Sequence, residues 1–254
     1  LLRTLYHFMH NCEVLSDLDV VFQNLHFLFA GALETIKLTV IAVSLGIILG
    51  LFAGMGRLST SKSIRLIATC YIDFFRGTPL LVQIFIVYYG FPQLIAEGYA
   101  FLFTHFGIGQ AAASTNIPPF LAAIVALSLN SGAYVGEIFR AGIQSIEKGQ
   151  REAALSLGMT PRQAMYHVIL PQAFRVVVPP LGNEFIAMLK DTSLLVVIGY
   201  IELTRQGQIL DATYFKPFQI FISVAFLYLI MTFSVSRLVD FTERRLSVHV
   251  HHQD

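Results

Sequence analysis

Residues 28–55, 64–95, 119–139 and 218–239 are each apolar over a length that a helix in water has little use for. Crossing the roughly 30 Å hydrocarbon layer of a bilayer takes about 20 apolar helical residues, at about 1.5 Å of rise each. A fifth stretch, 166–189, is long enough and is bounded by polar loops, although Pro171, Pro179, Pro180, Arg175 and Glu184 interrupt it. In lipid every backbone polar group has to be satisfied by the protein itself, so such stretches span as helices. The expectation is an all-α integral membrane protein with five transmembrane helices. The nine residues 193–201, "SLLVVIGYI", are too short to cross and predict a re-entrant or interfacial helix. Composition agrees, with 55% hydrophobic and 13% charged residues and a mean hydropathy of +0.66. A formal net charge of +1 argues against a nucleic-acid partner.

Loop charges set the expected orientation, because Lys and Arg are retained on the cytoplasmic side. Arg57, Lys62 and Arg65 lie in the first loop, and the second, 96–118, has no Lys or Arg. The third carries Arg140, Lys148, Arg151 and Arg162, and the tail carries Arg237, Arg244 and Arg245. The first and third loops and the C-terminus are therefore expected inside, with the N-terminus outside. Lys190, Arg205 and Lys216 in the fourth loop dilute the signal but are offset by Asp191, Glu202 and Asp211. This divides the chain into an outer segment 1–27, a membrane domain 28–245 and a cytoplasmic tail 246–254. Cys12 and Cys70 then fall on opposite sides and cannot pair. The opening "LLRTLYHFMH" lacks the pattern of a signal peptide.

The third loop holds the least lipid-like sequence, "REAALSLGMTPRQAMYHVILP" at 151–171. "GQREAALSL" predicts a short helix with Ala153, Ala154 and Leu157 along one face and Arg151 and Glu152 beside it. Gly158 is placed to end it. Thr160 as N-cap, Pro161 as first helical residue and Gln163 three positions after the cap form a capping box. The pattern is helix, sharp turn, helix. One reading is a connector lying on lipid headgroups. The other is a segment that enters a groove on a soluble partner, favoured because a narrow alanine-rich face has little affinity for lipid.

Ionisable and amide groups inside the spans are costly enough to mark function or packing. Asp73 and Arg76 are three residues apart and are expected to pair on one helical face. Pro79, after Gly77 and Thr78, is expected to bend its helix and leave carbonyls free to line a cavity. Gln83 reads either as an interhelical hydrogen bond or as a pathway residue. Asn130, Ser131 and Tyr134 form a polar patch, with Glu137 about a turn below. Ser131, Gly132 and Gly136 permit close helix packing. The Pro179–Pro180 pair is expected to break regular hydrogen bonding shortly before Asn183 and Glu184. Lys190, Asp191, Thr192 and Ser193 then lead into the short apolar segment. The histidines His7, His10 and His26 and the tail "HVHH" form no catalytic set, and the tail is expected to be a solvated end.

Together these motifs resemble one family. Glu152-Ala153-Ala154, three residues, Gly158, nine residues, then Val168-Ile169-Leu170-Pro171 resembles the EAA signature of the membrane subunits of bacterial ABC importers, with Val168 in place of the usual Ile. "FRGTPLLVQIF" (74–85), "LNSGAYVGEIFRAGI" (129–143) and "NEFIAMLKDTSLL" (183–195) resemble the polar amino acid branch, and the likeness extends over roughly residues 30–240.

The resemblance implies a type I importer permease whose cytoplasmic loop, about 148–171, is a coupling helix seated in a cleft of an ATPase. Arg151, Glu152, Ala153, Ala154, Leu157 and Gly158 would make that contact. Asp191, Thr192, Ser193, Glu184, Asn130, Tyr134, Thr78, Gln83 and Arg76 are the candidate substrate-pathway residues, with Asp191 placed to meet an amino or guanidinium group. No G-x-x-x-x-G-K-[ST] loop occurs, so the chain is expected to bind no cofactor, with ATP and Mg held by a partner ATPase dimer. A second permease chain, a copy or a paralogue, and an outer solute-binding protein complete the implied assembly, and a small polar amino acid is its cargo. The alternative is a secondary transporter driven by an ion gradient, which usually shows internal repeats that are not found here. An intramembrane enzyme would need a nucleophile with a base, and none is found.

Overall fold

The computed structural model describes residues 18–106 and 116–247, and its regular elements are all helical among those residues. Cys12, His7, His10, the 249–252 histidines and the middle of the second loop lie outside the described residues. A short helix α1 (Leu18–Gln23) leads into the long α2 (Leu25–Arg57). Next come α3 (Lys62–Gly77), α4 (Leu80–Phe85), one π-helical turn at Ile86–Gly90 and α5 (Phe91–Phe106). Then follow α6 (Pro119–Gln144), α7 (Lys148–Ser156), α8 (Pro161–Ala164), a second π-helical turn at Met165–Ile169 and α9 (Leu170–Asp191). A 3-10 helix at Thr192–Ile198, α10 (Leu203–Tyr214) and α11 (Pro217–Ser247) complete the chain.

Among the described residues four helical stretches are long and apolar enough to cross a membrane: Leu25–Arg57, Leu80–Phe106, Pro119–Gln144 and Pro217–Arg245. The expected second span, 64–95, is corrected. Pro79 disfavours helical geometry at the residue before it, and Thr78 is extended at φ −118°, ψ 147°. The chain therefore breaks there rather than bending. Residues 62–77, which hold Lys62, Arg65, Asp73 and Arg76, form a separate amphipathic helix, and the long apolar helix begins at Leu80. It continues to Phe106, so the first part of the supposed loop 96–118 is helical as well. The end of the supposed outer segment is also helical, because α1 and the first residues of α2 occupy 18–27. The stretch expected at 166–189 is occupied by α9, which is long enough to cross but carries Arg175, Glu184, Lys190 and Asp191. The Pro179–Pro180 pair does not end it, since both prolines sit inside one continuous helix. They withhold two donors from the carbonyls one turn back.

Packing is organised on α6. Its most apolar window is 61% buried against 17% for α11, so α6 is central and α11 peripheral. Lipid offers no hydrophobic drive for helices to associate, and close contact between backbones has to supply the adhesion. Along α2, Gly46, Gly50 and Gly54 fall four residues apart and face Ser131, Val135 and Gly136 of α6. A Cβ on Gly54 would sit 2.6 Å from the carbonyl oxygen of Gly136, a backbone atom that cannot move aside. Leu38, Ala42, Ala126, Leu127, Ile84, Met188 and Leu195 continue this seam into the main core. A second cluster, with Leu28, Leu203, Leu210, Ile220 and Val224, joins the start of α2 to α10 and α11. Large apolar side chains such as Phe52, Ile67, Leu94, Phe218 and Phe226 point outward, as lipid-facing residues do.

Candidate functional site

The residues singled out by sequence fall into three groups. The first is the loop segment. Helix α7 ends in a Schellman arrangement, in which the N–H of Met159 donates to the carbonyl of Ala154 at 3.2 Å and that of Gly158 to Leu155 at 3.0 Å. Gly158 takes φ +84°, the left-handed region in which a side chain is strained. The expected capping box follows at once. Thr160 Oγ1 accepts from the Gln163 N–H at 3.3 Å, and Gln163 Oε1 accepts from the Thr160 N–H at 2.9 Å.

The face expected on α7 is corrected in part. Ala154 is buried, but Ala153 is exposed, and Leu157 is 81% exposed because it is the C-cap residue, where the chain has begun to turn away. Arg151 and Glu152 are exposed too. With Leu155 and Tyr166 also uncovered, the loop presents apolar and charged groups side by side on a rigid two-helix wedge.

The second group closes the break at Thr78. Gln83 Nε2 donates to the carbonyls of Phe75 (2.8 Å) and Thr78 (3.0 Å) and to Thr78 Oγ1 (2.8 Å). Thr78 Oγ1 in turn donates to the carbonyl of Phe74 at 2.8 Å. Asn130 Nδ2 donates to Gln83 Oε1 at 2.9 Å, and both amides are buried. The carbonyls expected to stand free for a cavity are thus taken up within the chain, and Gln83 makes the interhelical hydrogen bond that was one of its two readings. Tyr71 adds a further tie, its hydroxyl donating to the carbonyl of Leu129 at 2.7 Å.

The third group is an ion cluster about two turns further along α6. Glu137 bonds Arg57 of α2 at 2.9 Å and Arg140 of its own helix, and Arg76 of α3 lies at 3.9 Å. Arg57 also reaches Asp73 at 3.2 Å. The expected Asp73–Arg76 pair is corrected, because each residue takes a partner from another helix. Arg76 further lies over the ring of Tyr134, 5.5 Å from its centroid. Three cations and two carboxylates thereby tie the ends of α2 and α3 to α6. Glu184, Asp191 and Ser193 are half-buried on α9 and just after it, while Thr192 is fully buried with its hydroxyl donating to the carbonyl of Leu189 at 2.8 Å. They are not part of either polar cluster.

Sequence reasoning passed over Glu202, counting it only as a loop charge. It is fully buried and caps α10, accepting from the Arg205 N–H (2.8 Å), Tyr228 Oη (2.8 Å) and Thr35 Oγ1 (3.4 Å). Its one local signal was Glu at the N-cap position of a helix. Arg57 and Arg140 were likewise counted as loop charges; Arg140 stands three residues after Glu137, a spacing that does signal a helical pair, whereas nothing near Arg57 in the chain points to Glu137.

Comparison with known proteins now bears on these groups. A family model described as the inner membrane component of binding-protein-dependent transport systems matches residues 46–248. The glutamine transport system permease protein of Escherichia coli (strain K12) is 38% identical over 232 residues, covering 91% of this chain and 98% of the relative. The L-cystine transport system permease protein of Bacillus subtilis (strain 168) is 40% identical over 234 residues, covering 91% and 92%. Among solved structures, an amino acid ABC transporter crystallised with histidines matches with a TM-score of 0.77 at 42% identity, over 89% of this chain and 96% of that one. An inward-facing methionine ABC transporter matches with a TM-score of 0.66 at 20% identity, over 87% and 97%, a likeness of fold alone.

Proposed function

Since the chain belongs to the family of inner membrane components of binding-protein-dependent transport systems, we propose that it is the permease of an ATP-driven importer for a polar amino acid, coupled to its motor through residues 148–171. It is a multi-pass membrane transport subunit and not an enzyme. The observation that carries the coupling role is the wedge formed by α7, the left-handed Gly158 and the capped α8, with Leu157 uncovered at its tip. A loop meant to lie on lipid has no need of a fixed turn. A lever seated in a protein groove does need one, because slack at the turn would absorb the motion it has to pass on.

On this reading the spans are the four apolar helices together with α9, which crosses while shielded by α6 and α11 rather than by its own apolarity. The wedge and the C-terminus face the cytoplasm and the N-terminus faces outward, as the loop cations favour. Arg151, Glu152, Ala153, Leu157 and Gly158 meet an ATPase dimer that holds ATP and Mg, while the buried Ala154 seats the helix on its own chain. Two permease chains serve its two clefts, and an outer binding protein delivers the cargo. Two of the relatives are named for glutamine and cystine, and the solved structure at 42% identity is that of an amino acid ABC transporter. Glu184 and Asp191 favour a neutral-polar or cationic amino acid, with Thr192, Ser193, Asn130, Tyr134, Thr78, Gln83 and Arg76 bordering or bracing the route. No observation favours the ion-gradient alternative.

Reconstitution with a cognate ATPase and binding protein tests this. Amino-acid-dependent stimulation of ATP hydrolysis, together with uptake that stops when ATP is exhausted, is the expected result. Uptake that persists without ATP and follows a sodium or proton gradient would refute it.

A further inference from the structure

An open cleft of about 660 Å³ lies between the first turns of α2, the start of α6 and the turn at 199–201, well apart from the three groups described above. Its size falls within the roughly 300–1,000 Å³ usual for small-ligand sites. Two opposite charges stand side by side in it, Lys37 Nζ and Glu34 Oε1 being 2.6 Å apart. Both side chains remain substantially exposed, so neither charge is consumed by burial. The other Glu34 oxygen accepts from Tyr200 Oη at 2.8 Å. Aromatic faces complete the wall. Phe120 and Tyr200 stack with centroids 6.2 Å apart, and Lys37 stands 5.4 Å from the centroid of Phe120.

The charges decide what can bind. An anion alone would be drawn to Lys37 but repelled by Glu34, and a cation alone would meet the reverse. A ligand whose own opposite charges are held one carbon apart satisfies both at once, forming a closed alternation of four charges. The lysine ammonium has three donors and the carboxylate about four acceptor sites, so each can hold a ligand group without giving up the other. From this we infer that the cleft is a receiving site for the α-carboxylate and α-ammonium of a zwitterionic amino acid, on Lys37 and Glu34 respectively, with the ligand side chain against Phe120 and Tyr200. The inference rests on the transport reading and on the outward orientation proposed above, and adds to them the place where cargo first meets this chain. The cleft is also wired into the bundle. Thr35, next to Glu34, takes the Leu203 N–H at 3.3 Å and donates to Glu202, so a ligand that pulls on Glu34 and Tyr200 pulls on the cap of α10.

Ile201 lines the cleft and is half-exposed, which makes it a reporter position. In the assembled transporter, with Cys12 and Cys70 replaced by serine and Ile201→Cys introduced, a membrane-impermeant maleimide added from outside should label residue 201. L-glutamine or L-arginine should slow that labelling roughly tenfold at about ten times the dissociation constant. Their decarboxylated counterparts, 4-aminobutanamide and agmatine, should not. Lys37→Ala and Glu34→Gln should each abolish protection while the complex still assembles with its ATPase, and Lys37→Arg should retain part of it. Equal labelling with and without amino acid, in a complex that takes the amino acid up, would overturn this site alone. Equal protection by the decarboxylated compounds would overturn it too. Labelling only from the inside would overturn the orientation, and a complex that takes up no amino acid at all would overturn the transport reading beneath it.

Discussion

Gln83 sits where a helix has been cut, and its amide takes up what the cut leaves over. Proline at 79 forces Thr78 out of helical geometry, and the last carbonyls of α3 lose their intrahelical donors as a result. In water such groups would be solvated, but in a membrane protein they must find a donor from the chain. One amide serves two of these carbonyls and the Thr78 hydroxyl, and is itself held by Asn130 across the interface with α6. Gln83→Leu keeps most of the volume and removes every one of these bonds. It should cost about 1–3 kcal/mol, the price of buried polar groups left unpaired, and lower the thermal unfolding midpoint of the purified protein. Gln83→Glu should not restore it, since a carboxylate cannot donate to the carbonyls of Phe75 and Thr78. The sequence marked Gln83, Asn130 and Thr78 as unusual because amides, and a hydroxyl beside a proline, stand out among apolar residues. It could not show that they answer one another, because Gln83 and Asn130 are 47 positions apart and no local rule links them.

At the scale of elements, two glycine features make opposite demands. Gly54 needs the absence of a side chain because Gly136 leaves no room for one. Gly54→Leu should prevent α2 and α6 from closing and lower stability by about 1–3 kcal/mol or more, whereas Gly149→Ala, where a Cβ meets nothing within 4 Å, should leave unfolding unchanged. Gly158 also has open space around it, and its constraint is the backbone angle alone. Gly158→Val should therefore fold and assemble but lose the fixed turn. The expected readout is basal ATP hydrolysis that persists while amino-acid stimulation and uptake fall together; unimpaired uptake would argue against the lever. The helix–turn–helix at 148–164 was legible in detail because caps and left-handed turns are written within a few residues. The second span was misread because hydropathy averages over a window and does not see a one-residue break. The helix through Pro179 and Pro180 was legible from its length and apolar character despite the prolines, and packing against α6 and α11 holds it where local preference would end a helix.

For the whole molecule, α6 is the helix on which the packing converges, while α11 lies at the periphery. α6, α2 and α3 are bound by the glycine seam, by Tyr71 and by the five-residue ion cluster around Glu137, and form one stiff unit. α7 and α8 pack on the π-helical turn that leads into α9. A push on the wedge would therefore reach α9 first, and α6 through the packing of α9 against it. One chain carries a single wedge, and on the proposed reading an ATPase dimer offers two clefts. Native mass spectrometry of the assembled transporter should show two permease chains for every two ATPases, and a one-to-two ratio would contradict that arrangement.

The seam between α2 and α6 carries a last consequence, for how the chain is made. The glycines of α2 leave the ribosome some eighty residues before Gly132 and Gly136 do. Until α6 arrives, the newly inserted α2 has a notched face against lipid tails and an arginine, Arg57, whose partner Glu137 has not been synthesised. Closure of this seam is thus timed by the sixth helix, and until that helix is inserted α2 has no partner for its glycine face.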